Sequence, residues 1–452
     1  MNCSTTSTPR LARSSKARFG CRRILVAVAL LAGLASTKLS AADPFETPAE
    51  LTLAEARRQA FLNNWDLLAA KAEVEIAQAQ KLVAREFPNP TLSLSSSKIK
   101  TSQGNGTILG NSLSERSYDS IAAVNQLIEI GGKRASRRAS AAAGLAAAVA
   151  RFRDVQRLLD VGIVRVYVAA LQAEANAQIL NRSAATLRQE ADIAVVRQKA
   201  GDISTSDQAQ IEVAAARFEQ DAKNAAAAAV ANRIALDTVL GSRHPTGEWH
   251  AVDSLETVAQ TLLGITNQPP LASIERRPDV IAAEHNRRRA EADWRLQKAM
   301  RIPDPTVTFQ YEREPPDTRN SVGIGLAFPL PLWNRNQGNI TAADAARKQA
   351  ALEVERTRAQ ALADVLNART AYEDAAGRFA RYQVEIVPKS AKVRESIAFA
   401  YQKGGVALLD LLSAERTDNE VRLATAQAAS DAANAAALLR AAVSADENIF
   451  TP

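Results

Sequence analysis

A short motif that ends a helix-compatible segment and begins an extended one occurs twice in this chain. Phe87-Pro88-Asn89-Pro90 returns in the second half as Ile302-Pro303-Asp304-Pro305, and each copy is followed by an alternating run, Thr91 to Leu94 and Thr306 to Phe309. Proline cannot continue a helix, and it pushes the preceding residue into an extended conformation. Each copy therefore predicts a helix that stops and a strand that starts. The repetition predicts a duplicated helix-to-strand unit and one architecture built from two halves.

The first 42 residues are predicted to form a cleaved secretory signal peptide (1–42). Arg22 and Arg23 precede a short apolar run at 24–35, and Ser40-Ala41-Ala42 supplies the small residues that a signal peptidase reads, so we expect cleavage before Asp43. The alternative, a membrane anchor, needs ~20 apolar residues, and this run is shorter. The protein is therefore predicted to be exported.

Removal of this segment changes the charge and cysteine content. Seven of the 56 Lys and Arg residues lie in 1–42 with no Asp or Glu, which leaves 49 basic residues against 49 acidic ones. A balanced charge gives no support to nucleic-acid binding. Cys3 and Cys21 both lie in the predicted signal, and Cys21 precedes the apolar run. We expect a cysteine-free exported protein without a lipid anchor.

The rest of the chain predicts two repeats, 43–240 and 271–452, separated by a linker or equatorial segment at 241–270. Residues 51–86 predict a helix pair, with Thr52 as cap and Glu55 as its capping-box partner. Alternating runs predict four strands, and long Gly- and Pro-poor stretches predict two helical hairpins. The predicted strands cover about 91–100, 118–130, 306–311 and 320–328, and the hairpins cover 133–240 and 339–443. The fold class is mainly α with a small β part.

The hairpin tips and the second long helix carry further patterns. Gln198 to Gly201 matches Gln402 to Gly405, which predicts that the tips are duplicated too. Steps of four and three residues predict a coiled-coil seam, although a helical-bundle core fits the same pattern; its members are Ala361, Val365, Ala368, Tyr372, Ala375 and Phe379. Pro388 is expected to kink or break this helix after Ile386.

The strands have one apolar face and one small or polar face, as in Val322, Ile324, Leu326 and Phe328. Such strands fit a soluble sheet with one packed face, or a barrel with lipid outside and a wet lumen. Four strands are too few to close a barrel, for which ~8 is the practical minimum. If the sheet lies in a membrane, several chains must contribute strands.

The chain resembles the TolC-type outer-membrane efflux proteins, and most closely the CzcC-like components of cobalt-zinc-cadmium efflux systems of the resistance-nodulation-division type. The resemblance covers essentially all of the chain after the signal. Four motifs carry it: Phe87 to Pro90, Gln126 to Arg134, Arg277-Pro278-Asp279-Val280, and Phe328 to Gln337. The second and fourth are the more specific to the metal-efflux branch.

The resemblance implies a homotrimer, in which each subunit gives four strands to one transmembrane β-barrel in the outer membrane and its helices to a coiled-coil α-barrel in the periplasm. A periplasmic adaptor and a proton-driven inner-membrane pump are the implied partners, with outer-membrane lipid around the strands. The implied activity is passive conduction of divalent heavy-metal cations to the cell exterior. The implied strand-entry and strand-exit joints contain Pro88, Pro90, Gly131, Gly132, Pro303, Pro305, Pro329 and Pro331.

The resemblance also places the periplasmic gate and the adaptor contact at the hairpin tips, at Gly201, Asp202, Gly404, Gly405, Asp410 and Ser413. Asp410 occupies the position of a pore-facing acid, and three copies would form a ring that favours cations. Ser413 stands where TolC has a second acid, so a double ring does not follow. A helix-terminal charge favourable to the dipole explains Asp410 equally well.

Other chemistries have weak signals. Gly131 to Arg134 lacks the leading Gly and the Ser or Thr of a phosphate loop. His244 and His250 have no helical ligand spacing, so we predict no metal site and no cofactor. No combination of nucleophile and base stands out, so no enzyme is predicted. The alternatives kept open are a duct for drugs or for type I protein secretion, and a soluble periplasmic coiled-coil adaptor, which would need only one hairpin.

Overall fold

The computed structural model describes residues 47–97, 119–265, 271–314 and 318–443. The predicted signal peptide lies outside these residues, as does the whole segment between the first two predicted strands. The described residues all belong to one compact unit. The two predicted repeats therefore pack as a single unit.

The first repeat begins with two short helices. β1 (Glu50–Leu51) leads into α1 (Leu53–Asn63) and α2 (Trp65–Val83). Thr52 caps α1 as predicted, because its hydroxyl accepts a hydrogen bond from the Glu55 N–H at 3.2 Å. The Glu55 carboxylate accepts hydrogen bonds from Arg58 and Gln59 instead of completing a capping box.

A four-stranded antiparallel sheet joins the two repeats. Its strands follow in the order β2 (Thr91–Ser97), β3 (Asp119–Leu127), β5 (Thr306–Glu314) and β6 (Thr318–Ala327). The pairing between β3 and β5 links the end of the first strand pair to the start of the second. β5 is longer than predicted and contains an irregularity between Glu312 and Glu314. β3 ends earlier than predicted, because the Ile130 N–H turns to the side chain of Asp304.

Two helical hairpins contain most of the remaining chain. The first consists of α3 (Lys133–Lys199) and α4 (Thr205–Leu240). α3 has 67 residues, and a helix of that length extends about 100 Å at ~1.5 Å per residue. The second hairpin consists of α7 (Gln337–Arg381), a π-helical segment (Tyr382–Ile386), α8 (Val387–Gln402) and α9 (Leu408–Val443). The predicted break at Pro388 is thus a π-turn within a continuing helix, with the Val387 N–H bonded to the Tyr382 carbonyl.

The segment between the repeats contains elements that were not predicted from the sequence. β4 (His250–Ala251) pairs parallel with β1 in a separate two-stranded sheet, so the expectation that the chain holds only four strands was wrong. α5 (Leu255–Ile265) follows, with Leu255, Val258, Ala259 and Leu262 buried. A short 3-10 helix (Leu271–Arg276) and α6 (Pro278–Ala299) then lead to β5. The apolar residues of α5 recur at helical spacing, and this pattern could have predicted the helix.

The predicted seam of α7 lies on its buried face. Five of its six members are buried, and the sixth, Tyr372, is half-buried and donates a hydrogen bond to the Leu263 carbonyl. None of the helices within the described residues is long and apolar enough to cross a membrane.

Candidate functional site

The predicted site residues fall at two places, the hairpin tips and the joints between strands and helices. At the first tip, Gly201 has φ +84° and ends α3. The Asp202 N–H then bonds to the Arg197 carbonyl at 2.9 Å. At the second tip, Gly404 has φ +74°, and the Gly405 N–H bonds to the Ala400 carbonyl at 2.9 Å. Both tips use the left-handed conformation that glycine adopts without a steric penalty.

This geometry corrects the alignment of the two tips. Gly201 corresponds to Gly404, not to Gly405 as the matching residue letters suggested, and Asp202 corresponds to Gly405. The same alignment makes Asp207 the counterpart of Asp410. Matching the tips by residue letters aligns Asp410 with Ser206, one residue out of step, and so hides Asp207 as the second acid.

Asp410 is exposed and lies in the first turn of α9. Its carboxylate accepts a hydrogen bond from the Ala407 N–H at 3.1 Å. The Asp207 carboxylate likewise accepts a hydrogen bond from the Ser204 N–H at 3.4 Å, as part of a complete capping box. Asp410 therefore caps its helix, as one of the two interpretations expected, while its exposure leaves the carboxylate open to solvent. Ser413 is also exposed, one turn further along α9.

The two tips pack against each other. Leu187, Ala191 and Ala194 of α3 and Ile211 and Ala215 of α4 share a buried cluster with Tyr401, Leu408 and Leu411 of the second hairpin. The Arg197 guanidinium lies over the Tyr401 ring, 5.5 Å from its centre. Separation of the two tips would therefore break these apolar contacts.

A network of charges joins the two arms of the second hairpin, α8 and α9, and Glu190 of the first hairpin lies near it. Arg394 of α8 contacts Glu415 at 3.4 Å and Asp418 at 3.5 Å, and Arg422 contacts Asp418 at 2.7 Å. Glu415 and Asp418 are buried. Burial and the nearby Glu415 carboxylate raise the pKa of Glu190 on α3 above its usual range. This stretch of the interior is polar, in contrast to the apolar cluster at the tips.

The first pair of strand joints is held by Asp304 of the second Pro-x-Pro motif. Its carboxylate accepts a hydrogen bond from the Ile130 N–H at 2.9 Å and pairs with the Lys133 ammonium at 2.7 Å. The Lys133 side chain is buried, so the ion pair is shielded from solvent. The second Pro-x-Pro motif thus binds the segment between β3 and α3, so the entry joint of the second repeat is linked to the exit joint of the first.

The exit joints use different residues to start their helices. Gly131 and Gly132 both have positive φ, and Gly132 precedes α3. At the second exit, Asn336 is the one described non-glycine residue with positive φ, and it precedes α7. Between β6 and Asn336, the segment that contains Pro329 and Pro331 is exposed, and the Pro331 carbonyl accepts a hydrogen bond from Arg335.

The entry joints place their prolines beside the sheet. The Pro305 carbonyl accepts a hydrogen bond from the Ile128 N–H at 2.9 Å, and the Pro88 carbonyl accepts one from Gln126 at 3.0 Å. Pro90 and Pro303 flank these contacts and keep the backbone extended. Among the described residues, no group of three His, Cys, Asp or Glu side chains is arranged to hold a metal ion.

Long duplicated helical hairpins on a small antiparallel sheet define a class of channel-forming transport proteins. Residues 56–242 and 271–445 match the family described as outer membrane efflux protein, and the chain belongs to that family. It is a family of transport proteins and not of enzymes.

One relative is the cobalt-zinc-cadmium resistance protein CzcC of Cupriavidus metallidurans, which is 26% identical over 385 residues, 84% of this chain and 87% of that protein. The crystal structure of CusC has a TM-score of 0.71 at 19% identity and covers 86% of this chain and 91% of its own. The outer membrane protein VceC of Vibrio cholerae has a TM-score of 0.71 at 20% identity and covers 86% of this chain and 95% of its own. These structures share the fold, which confirms the predicted fold class.

Proposed function

We propose that this protein is the exit duct of a tripartite efflux system and that its cargo is divalent heavy-metal cations. The observation that carries the channel assignment is the family match over both repeats. The cargo rests on the likeness to the cobalt-zinc-cadmium resistance protein over 84% of the chain. The metal-efflux motifs at both strand exits, Gln126 to Arg134 and Phe328 to Gln337, support the same branch.

In this proposal three copies assemble in the outer membrane. The apolar side chains of the sheet support lipid contact, because Val322 and Ile324 are 82% and 76% exposed in the single chain. The long hairpins extend into the periplasm, where their tips meet a periplasmic adaptor that links the duct to a proton-driven inner-membrane pump. The segment 1–42 is the export signal that precedes insertion, and no lipid anchor is required.

The duct conducts its cargo passively. Selective binding of a soft divalent metal needs thiolate or imidazole ligands in close groups. His244 is exposed on the segment between the repeats, and His285 lies on α6 away from the tips. We therefore assign the choice of metal to the pump and not to the duct.

Deletion of the protein tests the cargo. Loss of the duct is expected to increase sensitivity to zinc, cobalt or cadmium, and plasmid-borne protein should restore tolerance. Nickel, copper and several drugs serve as parallel challenges in the same strain. Unchanged metal tolerance together with lost drug tolerance would refute the metal branch and favour a drug duct.

At the gate, the proposal assigns Asp410 a second role beside its cap. Three exposed copies near the threefold axis would form a ring that attracts cations. Asp207 provides a matched control, since it makes the same capping contact at the other tip. An acidic residue in the first turn of an exposed helix is worth about 0.3–1 kcal/mol, and both residues occupy such a position, so both variants lose similar helix stabilisation.

Asp410→Ala is expected to lower the cation selectivity of the channel in planar lipid bilayers, measured as the reversal potential in a salt gradient. Asp207→Ala should leave the reversal potential close to that of the wild type. Equal reversal potentials for the wild type and both variants would leave Asp410 as a cap only.

A further inference from the structure

One continuous surface surrounds the end of the sheet at which the two long helices begin. We call it the joint surface and define it as residues 85–87, 128–138, 298–304 and 328–335. Lys133 pairs with Asp304 at 2.7 Å, and Arg134 donates a hydrogen bond to the first of these ranges at 2.6 Å. Asn336, directly after the last range, donates a hydrogen bond to the Gln297 carbonyl at 2.8 Å. These contacts join the four ranges to one another.

The joint surface is strongly cationic. It contains eight basic and three acidic residues, a net charge of +5, and neither of the two helices that begin here has an acidic residue in its first turn. Two ion pairs join Lys133 to Asp304 and Arg137 to Glu129. Glu86 is then the remaining acid of the surface. Six remaining cations form no ion pair within the described part of the chain: Arg85, Arg134, Arg138, Lys298, Arg301 and Arg335.

The same surface is apolar and aromatic. Trp333 is 87% exposed and Phe87 is 68% exposed. Other exposed apolar side chains of the surface are Ile128, Ile130, Met300, Ile302, Phe328, Leu330 and Leu332. Proteins place aromatic rings at the level of lipid headgroups, and the long side chains of Arg and Lys extend to the same level. The composition of the joint surface therefore fits a layer of lipid headgroups.

Three of the cations cluster around Phe87. The Arg134 guanidinium lies over the Phe87 ring, 3.7 Å from its centre, and donates a hydrogen bond to the Arg85 carbonyl. Arg138 follows Arg134 by one turn of α3, so the two side chains lie on the same side of the helix. The Arg85 and Arg138 side chains are exposed. Arg134 is thus held in place by its contacts, while the other two guanidinium groups are available to an anion beside an apolar ring.

We propose that Arg85, Arg134 and Arg138 bind the headgroup phosphate of an anionic glycerophospholipid such as phosphatidylglycerol. The planar guanidinium group matches the oxygen atoms of a phosphate in both geometry and charge. The exposed apolar residues beside these arginines would contact acyl chains, which a free phosphate ion lacks. The inference rests on the assembly under Proposed function, because that assembly places the joint surface at the leaflet that faces the periplasm.

Lipid binding by the detergent-purified full-length protein tests this site. Native mass spectrometry counts the lipids retained during titration with phosphatidylglycerol or with phosphatidylcholine of the same acyl chains, and we expect tighter binding of phosphatidylglycerol. Arg85→Gln combined with Arg138→Gln should weaken phosphatidylglycerol binding about 25-fold, since each cation near an anionic lipid contributes about a factor of five. Phosphatidylcholine binding should change little. Arg134 is left in place because its contacts hold the joint together.

Arg165→Gln combined with Arg217→Gln is the matched control. It removes the same charge from two exposed arginines of the first hairpin. Arg165 lies about 40 Å from Arg138 along α3, at ~1.5 Å per residue. An equal loss of phosphatidylglycerol binding in both double variants would show that net charge alone attracts the lipid and would overturn the site. Displacement of the lipid by inorganic phosphate would show a site for a free anion and would also overturn it.

The same spectra separate a failure of this site from a failure of the assembly. A trimer that binds both lipids equally would overturn the lipid site and leave the duct assignment intact. Dissociation of the Arg85 and Arg138 double variant into single chains would show that these arginines face a neighbouring copy, against the inference. A monomer in every spectrum would instead refute the assembly under Proposed function.

Discussion

Arg277 shows how a single charged residue can organise the base of the helices. Its side chain is buried and donates hydrogen bonds to the Asp279 and Asp364 carboxylates. It also reaches the Ala361 carbonyl of α7 and the Ala442 carbonyl near the end of α9. Burial favours the neutral form of Asp279, but the hydrogen bonds from Arg277 outweigh it and hold the pKa of Asp279 below its usual range. One guanidinium therefore joins three helices.

Arg277→Met is expected to destabilise the protein by about 1–3 kcal/mol, because it leaves the partly buried Asp279 carboxylate and the Ala361 and Ala442 carbonyls without this hydrogen-bond donor. The measurement is the apparent unfolding temperature of the detergent-purified protein. Arg276→Met is the matched control, since the neighbouring Arg276 is exposed. Equal unfolding temperatures for the two variants would show that the buried network contributes little.

At the scale of elements, the seam of α7 determines how the second hairpin packs. Alanines along the seam allow close helix approach, and Phe379 fills the space near its end with 2% exposure. Beyond Phe379, the π-helical segment Tyr382–Ile386 inserts an extra residue before Pro388. Such an insertion keeps the apolar face directed at its partner when the prolyl nitrogen cannot donate a hydrogen bond.

Phe379→Ala is expected to cost about 3–5 kcal/mol through the cavity that it leaves. Leu366→Ala on the exposed side of the same helix, where Leu366 is 49% exposed, should cost far less. Thermal unfolding of both variants measures the difference. A similar loss for both would mean that α7 does not pack along the predicted seam.

The sequence predicted those helices and strands whose ends or faces are determined by neighbouring residues in the chain. Prolines mark both helix-to-strand switches, and the alternation of Val322 to Phe328 marks β6, so both features were accessible. The partners of Arg277 and the ion pair between Lys133 and Asp304 join residues far apart in the chain. Pairing across such distances depends on the packed fold, and no local pattern predicts it. The short strands β1 and β4 could not be predicted either, because a strand of two residues shows no periodicity in the sequence.

At the scale of the whole molecule, the candidate site was predicted in part. Glycine composition located both tips, but the equivalence of Gly201 with Gly404 required backbone conformation. The mutual packing of the tips through Tyr401 and Ile211 depends on the pairing of two hairpins and had no signal in either one alone. The gating role of the tips remains a prediction, and the Asp410→Ala variant tests the cation selectivity assigned to the second tip.

The central claim is that the chain works as a trimeric channel in the outer membrane. Cell fractionation followed by mass measurement of the detergent-extracted native protein tests it most directly. We expect the protein in the outer-membrane fraction as a trimer that heating in detergent dissociates into single chains. A soluble monomer in the periplasmic fraction would contradict the account.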